Sequence, residues 1–158
     1  MRRPPPLILK KLVLMGALQL TMIWDLVTTL LGIILILESL NPIALSQAVI
    51  GCLIVVAFSF STRSLWQQAQ GYRIAGLPLT LLRLVWGMAI FVDLWTSLTC
   101  NAWFVGAHSA EDSRALTDLL SHLNLGQLII VIFVTLVTGV SPILIGYLRD
   151  QDIDAWLS

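Results

Sequence analysis

Three features predict an all-α membrane protein with four transmembrane helices: a very apolar composition, four long hydrophobic runs, and basic residues gathered on alternate connections. Of the 158 residues 58% are hydrophobic and 11% are charged, whereas a soluble domain carries about 25% charged residues. The mean hydropathy is +0.90. Such a chain would expose too much hydrocarbon in water, so its natural solvent is the lipid bilayer. Nine basic side chains balance nine acidic ones. The sign of the charge follows the sides of a membrane, and no nucleic-acid partner is expected.

The basic start, Met1-Arg2-Arg3 to Lys10-Lys11, precedes a long apolar run. A signal peptide would have an apolar region of about 7–15 residues and a small-residue cleavage site. Leu12–Leu37 is longer and shows no such site, so it is read as an uncleaved helix. A hydrocarbon core needs about 20 residues, and this first span reaches from Lys11 to Glu38. The second, 42–62, opens with Asn41-Pro42, an N-cap followed by a proline at the first helical position. It is expected to continue as a wetter helix through Arg63–Gln70 until Gly71. The third covers 78–104 and the fourth 125–147, with a kink expected at Ser141-Pro142. One integral membrane domain is expected over 1–158.

With the N-terminus in the cytoplasm, that side collects Arg2, Arg3, Lys10, Lys11, Arg63, Arg73, Arg83 and Arg149, leaving Arg114 alone outside. The positive-inside rule therefore puts both termini in the cytoplasm, and a bacterial inner membrane fits. In the outer loop, Ser109 and Asp112 resemble a capping box, and Leu116, Leu119, Leu120 and Leu123 recur at helical spacing. A short helix over about 110–123 follows, either lying on the outer interface or packed over the mouth of the bundle.

Two acids stand inside the spans. Asp25-Leu26-x-Thr28-Thr29-Leu30 matches Asp93-Leu94-x-Thr96-Ser97-Leu98 at a shift of 68 residues, and Gln47-x-Val49-Ile50 matches Gln127-x-Ile129-Ile130 at a shift of 80. This pattern suggests a tandem duplication of a two-helix hairpin, its halves related by an axis along the membrane normal. An aspartate at the centre of a spanning helix costs about 2.5–3.5 kcal/mol. Each acid has hydroxyls three and four residues on, on its own helix face. The faces Thr21–Asp25–Thr28–Gly32 and Ala89–Asp93–Thr96–Cys100 form narrow small or polar stripes, suited to a helix contact or a wet path. Asp25, Thr28, Thr29, Asp93, Thr96 and Ser97 are the candidate site. The acids are either proton or cation sites, sharing a proton if they approach, or glue between helices.

Other chemistry is sparse. His108 and His122 fall in the outer loop, so no span offers an imidazole to a haem or chlorophyll. His122 with Asp118, Glu111 and Asp112 lacks the tight spacing of a metal motif, and no metal or cofactor is expected. Cys52 and Cys100 differ in depth too much for a disulfide and are read as packing residues. Trp24 and Trp95 flank the acids, as walls or as ordinary packing. No catalytic triad, phosphate loop or H-E-x-x-H motif is present, so the chain is not expected to be an enzyme.

Asp25-x-x-Thr28-Thr29 followed by Glu38-Ser39-Leu40-Asn41-Pro42 resembles small four-helix prokaryotic membrane proteins with an aspartate–threonine motif and an E-x-N-P turn. This chain has E-x-x-N-P, one residue longer, and the resemblance covers about twenty residues. It implies no particular activity. Two functional expectations remain: an accessory or assembly subunit of a membrane complex, associating with other subunits or with itself, and a proton or cation pathway formed by an oligomer through Asp25 and Asp93.

Overall fold

The computed structural model describes residues 6–38, 40–67, 76–106 and 115–148, and every regular element among them is helical. Four helices are long and apolar enough to cross a membrane. The first, α1, spans Pro6–Leu37. It takes in Lys10 and Lys11 ahead of the apolar run, because proline is tolerated in the first helical turn. It stops at Glu38, whose φ of 51° lies in the left-handed region.

Helix α2, Pro42–Phe60, starts as its sequence dictates: the Asn41 side chain accepts from the Ala44 N–H at 2.7 Å. It ends two residues before the expected Thr62. Ser61 turns the chain, its N–H bonding back to the Ala57 and Phe58 carbonyls, and a separate helix α3 covers Thr62–Gln67. The wetter continuation is therefore a distinct short element, and its expected extension to Gln70 lies outside the described residues. Helix α4, Leu77–Gly106, anchors α3. Trp86 donates from Nε1 to Thr62 Oγ1 at 2.9 Å, and the Arg83 guanidinium lies 4.8 Å from the Trp66 ring centroid.

Helix α5, Leu116–Ser121, begins at Ala115, which supplies no side-chain cap. The anticipated Ser109–Asp112 box lies outside the described residues. Leu119 is 1% exposed and packs with Ala102 and Val131, ringed by Leu98, Trp103 and Leu123. Helix α5 thus packs its Leu119 face against α4 and α6, with Thr117, Asp118 and Ser121 exposed. Helix α6, Leu125–Leu148, carries a capping box of its own. The Gln127 N–H donates to Asn124 Oδ1 and the Asn124 N–H to Gln127 Oε1, both at 2.9 Å, satisfying two donors reciprocally. It stays helical through Pro142.

Along α6, Ser141 meets Thr21 and Gly139 lies toward Asp25, while Gly139 also faces Leu94 and Thr135 meets Asn101. Helix α6 thus runs opposite to both α1 and α4. The interior is made of small and polar side chains, including Ala48, Cys52, Thr28, Ser97 and Thr138, while Leu20, Met88 and Phe133 are more than 60% exposed. A soluble domain does the reverse. Small or hydroxyl-bearing contacts with large hydrocarbon outside are the packing that lipid favours.

Candidate functional site: a buried cluster of acids and hydroxyls

The centre of the fold is the crossing of α1 and α4. Gly32 makes it possible, because a Cβ there would run into the backbone carbonyl of Thr96. Trp24 reaches Asn101 and Phe104 on one side of the crossing, and Thr29 reaches Asp93 on the other. These are contacts of helices that cross obliquely.

All six candidate residues are buried at this crossing. Thr29 donates from Oγ1 to Asp93 Oδ1 at 2.6 Å, and its oxygen lies 3.2 Å from Ser97 Oγ. Thr28 Oγ1 lies 3.0 Å from Ser97 Oγ and donates to the Asp25 backbone carbonyl, also at 3.0 Å. Ser97 is therefore the hub between the two helices. Thr96 is different: its hydroxyl donates to the Val92 and Asp93 carbonyls of its own helix. Its contribution to the crossing is backbone, through the contact with Gly32.

The acids are not treated alike. Asp93 has its interhelical donor. Asp25 is 3% exposed, yet its Oδ1 has no hydrogen-bond partner. The Ser97 and Thr138 hydroxyls flank this carboxyl, and Oδ1 points toward Gly139, where a Cβ would lie 4.0 Å away. Close by, Pro142 has no N–H to offer the Thr138 carbonyl four residues earlier. Among the described residues no ion pair reaches either acid; Arg83 is held by the Leu65 carbonyl at 3.4 Å.

The third wall of the cluster, on α6, was not singled out from the sequence. Thr135, Thr138 and Ser141 are buried at three-residue spacing. Ser141 Oγ lies 2.6 Å from Thr21 Oγ1, and Asn101 donates from Nδ2 to Thr135 Oγ1 at 3.0 Å. Asn101 in turn accepts from Trp24 Nε1 at 3.3 Å, so that indole borders the network through Asn101, whereas Trp95 is 45% exposed. The signal was the spacing itself, three hydroxyls on one face of an otherwise apolar span. Ser59 on α2 is also buried, with Oγ unpartnered.

The remaining candidates do not join the cluster. Both cysteines are free, and the Cys52 thiol points to the Leu26 carbonyl at 3.6 Å. His122 Nδ1 lies 2.7 Å from the Asp118 backbone carbonyl, a local contact one turn back. His108, Glu111 and Asp112 lie outside the described residues, and no group of three potential metal ligands occurs among the described ones. No family model, curated protein or solved structure matches this chain.

Proposed function

We propose that this chain is a small non-catalytic membrane subunit, an accessory or assembly component of a larger complex, whose acids join its own helices. The observation that carries this reading is the 2.6 Å bond from Thr29 on α1 to Asp93 on α4. It uses the costliest kind of residue in the span as an interhelical acceptor. Both termini face the cytoplasm of a bacterial inner membrane, following the basic residues. The core descends from a duplicated hairpin. The equivalent hydroxyls Thr29 and Ser97 face each other at 3.2 Å, and each lies beside the other helix's acid.

Purification in mild detergent tests the proposal. A stable hetero-complex supports it, and a lone homogeneous oligomer contradicts it. Cysteine labelling tests the topology: a probe from outside should reach Ser109→Cys and not Gln70→Cys.

One observation favours a second reading, a proton or cation pathway in an oligomer. The cluster offers four carboxyl oxygens, but Thr29 is committed to Asp93, and Ser97 has a single proton to give. Two ionised carboxylates would be left short of donors in a low-dielectric core, which is costly unless a positive partner arrives. A proton or small cation at Asp25 Oδ1 would complete the count. Under this reading Asp25→Asn and Asp93→Asn each abolish flux in proteoliposomes while the fold persists. Absence of flux by the wild type across proton, sodium and potassium gradients would discard it.

A further inference from the structure

Two cavities on the outer face of the α1–α4 pair share a wall. The first, of about 430 Å3, is lined by Ile33, Ile36, Leu37, Phe91, Val92, Trp95 and Thr96. The second, of about 300 Å3, lies toward the end of α1 and is bordered by Leu35, Ile36, Trp95, Ala115 and Leu116, with Glu38, Thr99 and Thr117 as its polar residues. Ile36 and Trp95 belong to both, so the two adjoin as a groove, apolar within the span and carrying Glu38 and Thr117 at its otherwise apolar end. Each volume falls in the range of small-molecule sites, about 300–1,000 Å3.

Glu38 gives the polar end its character. It has no ion pair among the described residues, and it sits immediately past the last turn of α1 in a left-handed conformation, φ 51°. Glycine or asparagine ordinarily fills that position, because a Cβ is strained there. A carboxylate held in a costly conformation beside a polar pocket is a reason to look for what it contacts.

We propose that this groove binds one phospholipid with a primary-ammonium headgroup, phosphatidylethanolamine by chemistry. Its ammonium sits at Glu38, with the exposed Thr117 beside it, and one acyl chain lies along Ile33, Phe91 and Val92. The occupant follows from charge and depth. The single described charge at the polar end is negative. The apolar end runs into the span, as a tail entering from the interface would. Trp95 lines both cavities at their junction, and an indole there is a favourable neighbour for an ammonium. The inference goes beyond the subunit reading and rests on insertion of the four long helices in a bilayer.

The test is photocrosslinking in vesicles of phosphatidylethanolamine and phosphatidylglycerol in equal parts, with either lipid carrying an acyl-chain diazirine, followed by peptide mapping. The phosphatidylethanolamine probe should label the 33–37 and 91–96 segments at least five-fold more than the α2 and α6 faces. Val92→Trp, which fills the groove, should remove that excess. Glu38→Gly should raise thermal stability by relieving the left-handed strain, yet reduce labelling to that of the phosphatidylglycerol probe. Even labelling of all four helices, or equal labelling by the two probes in the wild type, would overturn the site while leaving insertion intact. Labelling nowhere would overturn both.

Discussion

Asp25 and Asp93 occupy matching sequence contexts, but the fold gives them different neighbours. Asp93 faces α1 and accepts a short bond from Thr29. Asp25 lies between α4 and α6, beside the Ser97 and Thr138 hydroxyls, and its Oδ1, directed toward Gly139, has no partner. A repeated motif thus repeats the local helix face and not the environment. Thr28 and Thr96 behave alike, each donating to the carbonyl three residues back. What each acid meets is decided by the helix packed against it, and α6 is wetter and smaller on that face than a simple copy of α2 would be.

The largest effect is expected where neither acid is touched. Gly32→Leu would push α1 off the Thr96 backbone, and overpacking of this kind costs about 1–3 kcal/mol or more. Unfolding in detergent should show the loss. Gly87→Ala is the control: nothing lies within 4 Å of its Cβ, and a gain of about 0.5–1 kcal/mol follows from helix propensity. If both changes behave alike, the close crossing is not what holds α1 to α4.

A smaller effect should separate the acids. Asp93→Leu strands the Thr29 hydroxyl and should weaken the fold by about 0.6 kcal/mol, and up to about 1.7 kcal/mol, the range for interhelical bonds in membranes. Asp25→Leu removes an Oδ1 that bonds to nothing, together with the oxygen beside the Ser97 and Thr138 hydroxyls, and should cost less. The opposite order would mean that Asp25 is the better-satisfied acid. Asp25→Asn and Asp93→Asn, which keep the shape and an acceptor, should both lie within about 0.5 kcal/mol of wild type if the acids serve as glue.

Glu38→Asn should give the smallest shift, a gain below about 1 kcal/mol, because asparagine tolerates the left-handed conformation better. A loss of stability there would mean that the glutamate side chain supports the turn.

Much of the fold was legible because its signals are long. Four apolar runs bounded by Lys11, Glu38, Pro42 and Asn124 need only the bilayer's thickness and helix caps to be read. The stripes through Asp25 and Asp93 were legible because helical periodicity puts i, i+3 and i+4 on one face, and both proved buried except at Thr21, which is half-buried. Two things were not legible. The break at Ser61 precedes a short helix whose partners, Arg83 and Trp86, lie on α4 some twenty residues on and are not announced by local spacing. The Thr135–Thr138–Ser141 wall was hidden because threonine and serine satisfy their own helix carbonyls, as Thr138 does with Thr135 and Ser141 with Val137. Their spacing alone cannot say whether they also face a neighbour.

The most direct measurement is a pair of double-mutant cycles for unfolding in bilayers, Thr29→Val with Asp93→Ala and Ser97→Ala with Asp25→Ala. If Asp93 is the acid that chiefly joins α1 to α4, the first pair couples by about 0.6–1.7 kcal/mol, and the second, whose hydroxyl is shared with Thr28 and Thr29, by less. Equal couplings, or a stronger one for Ser97 with Asp25, would contradict the assignment of the interhelical bond to Asp93.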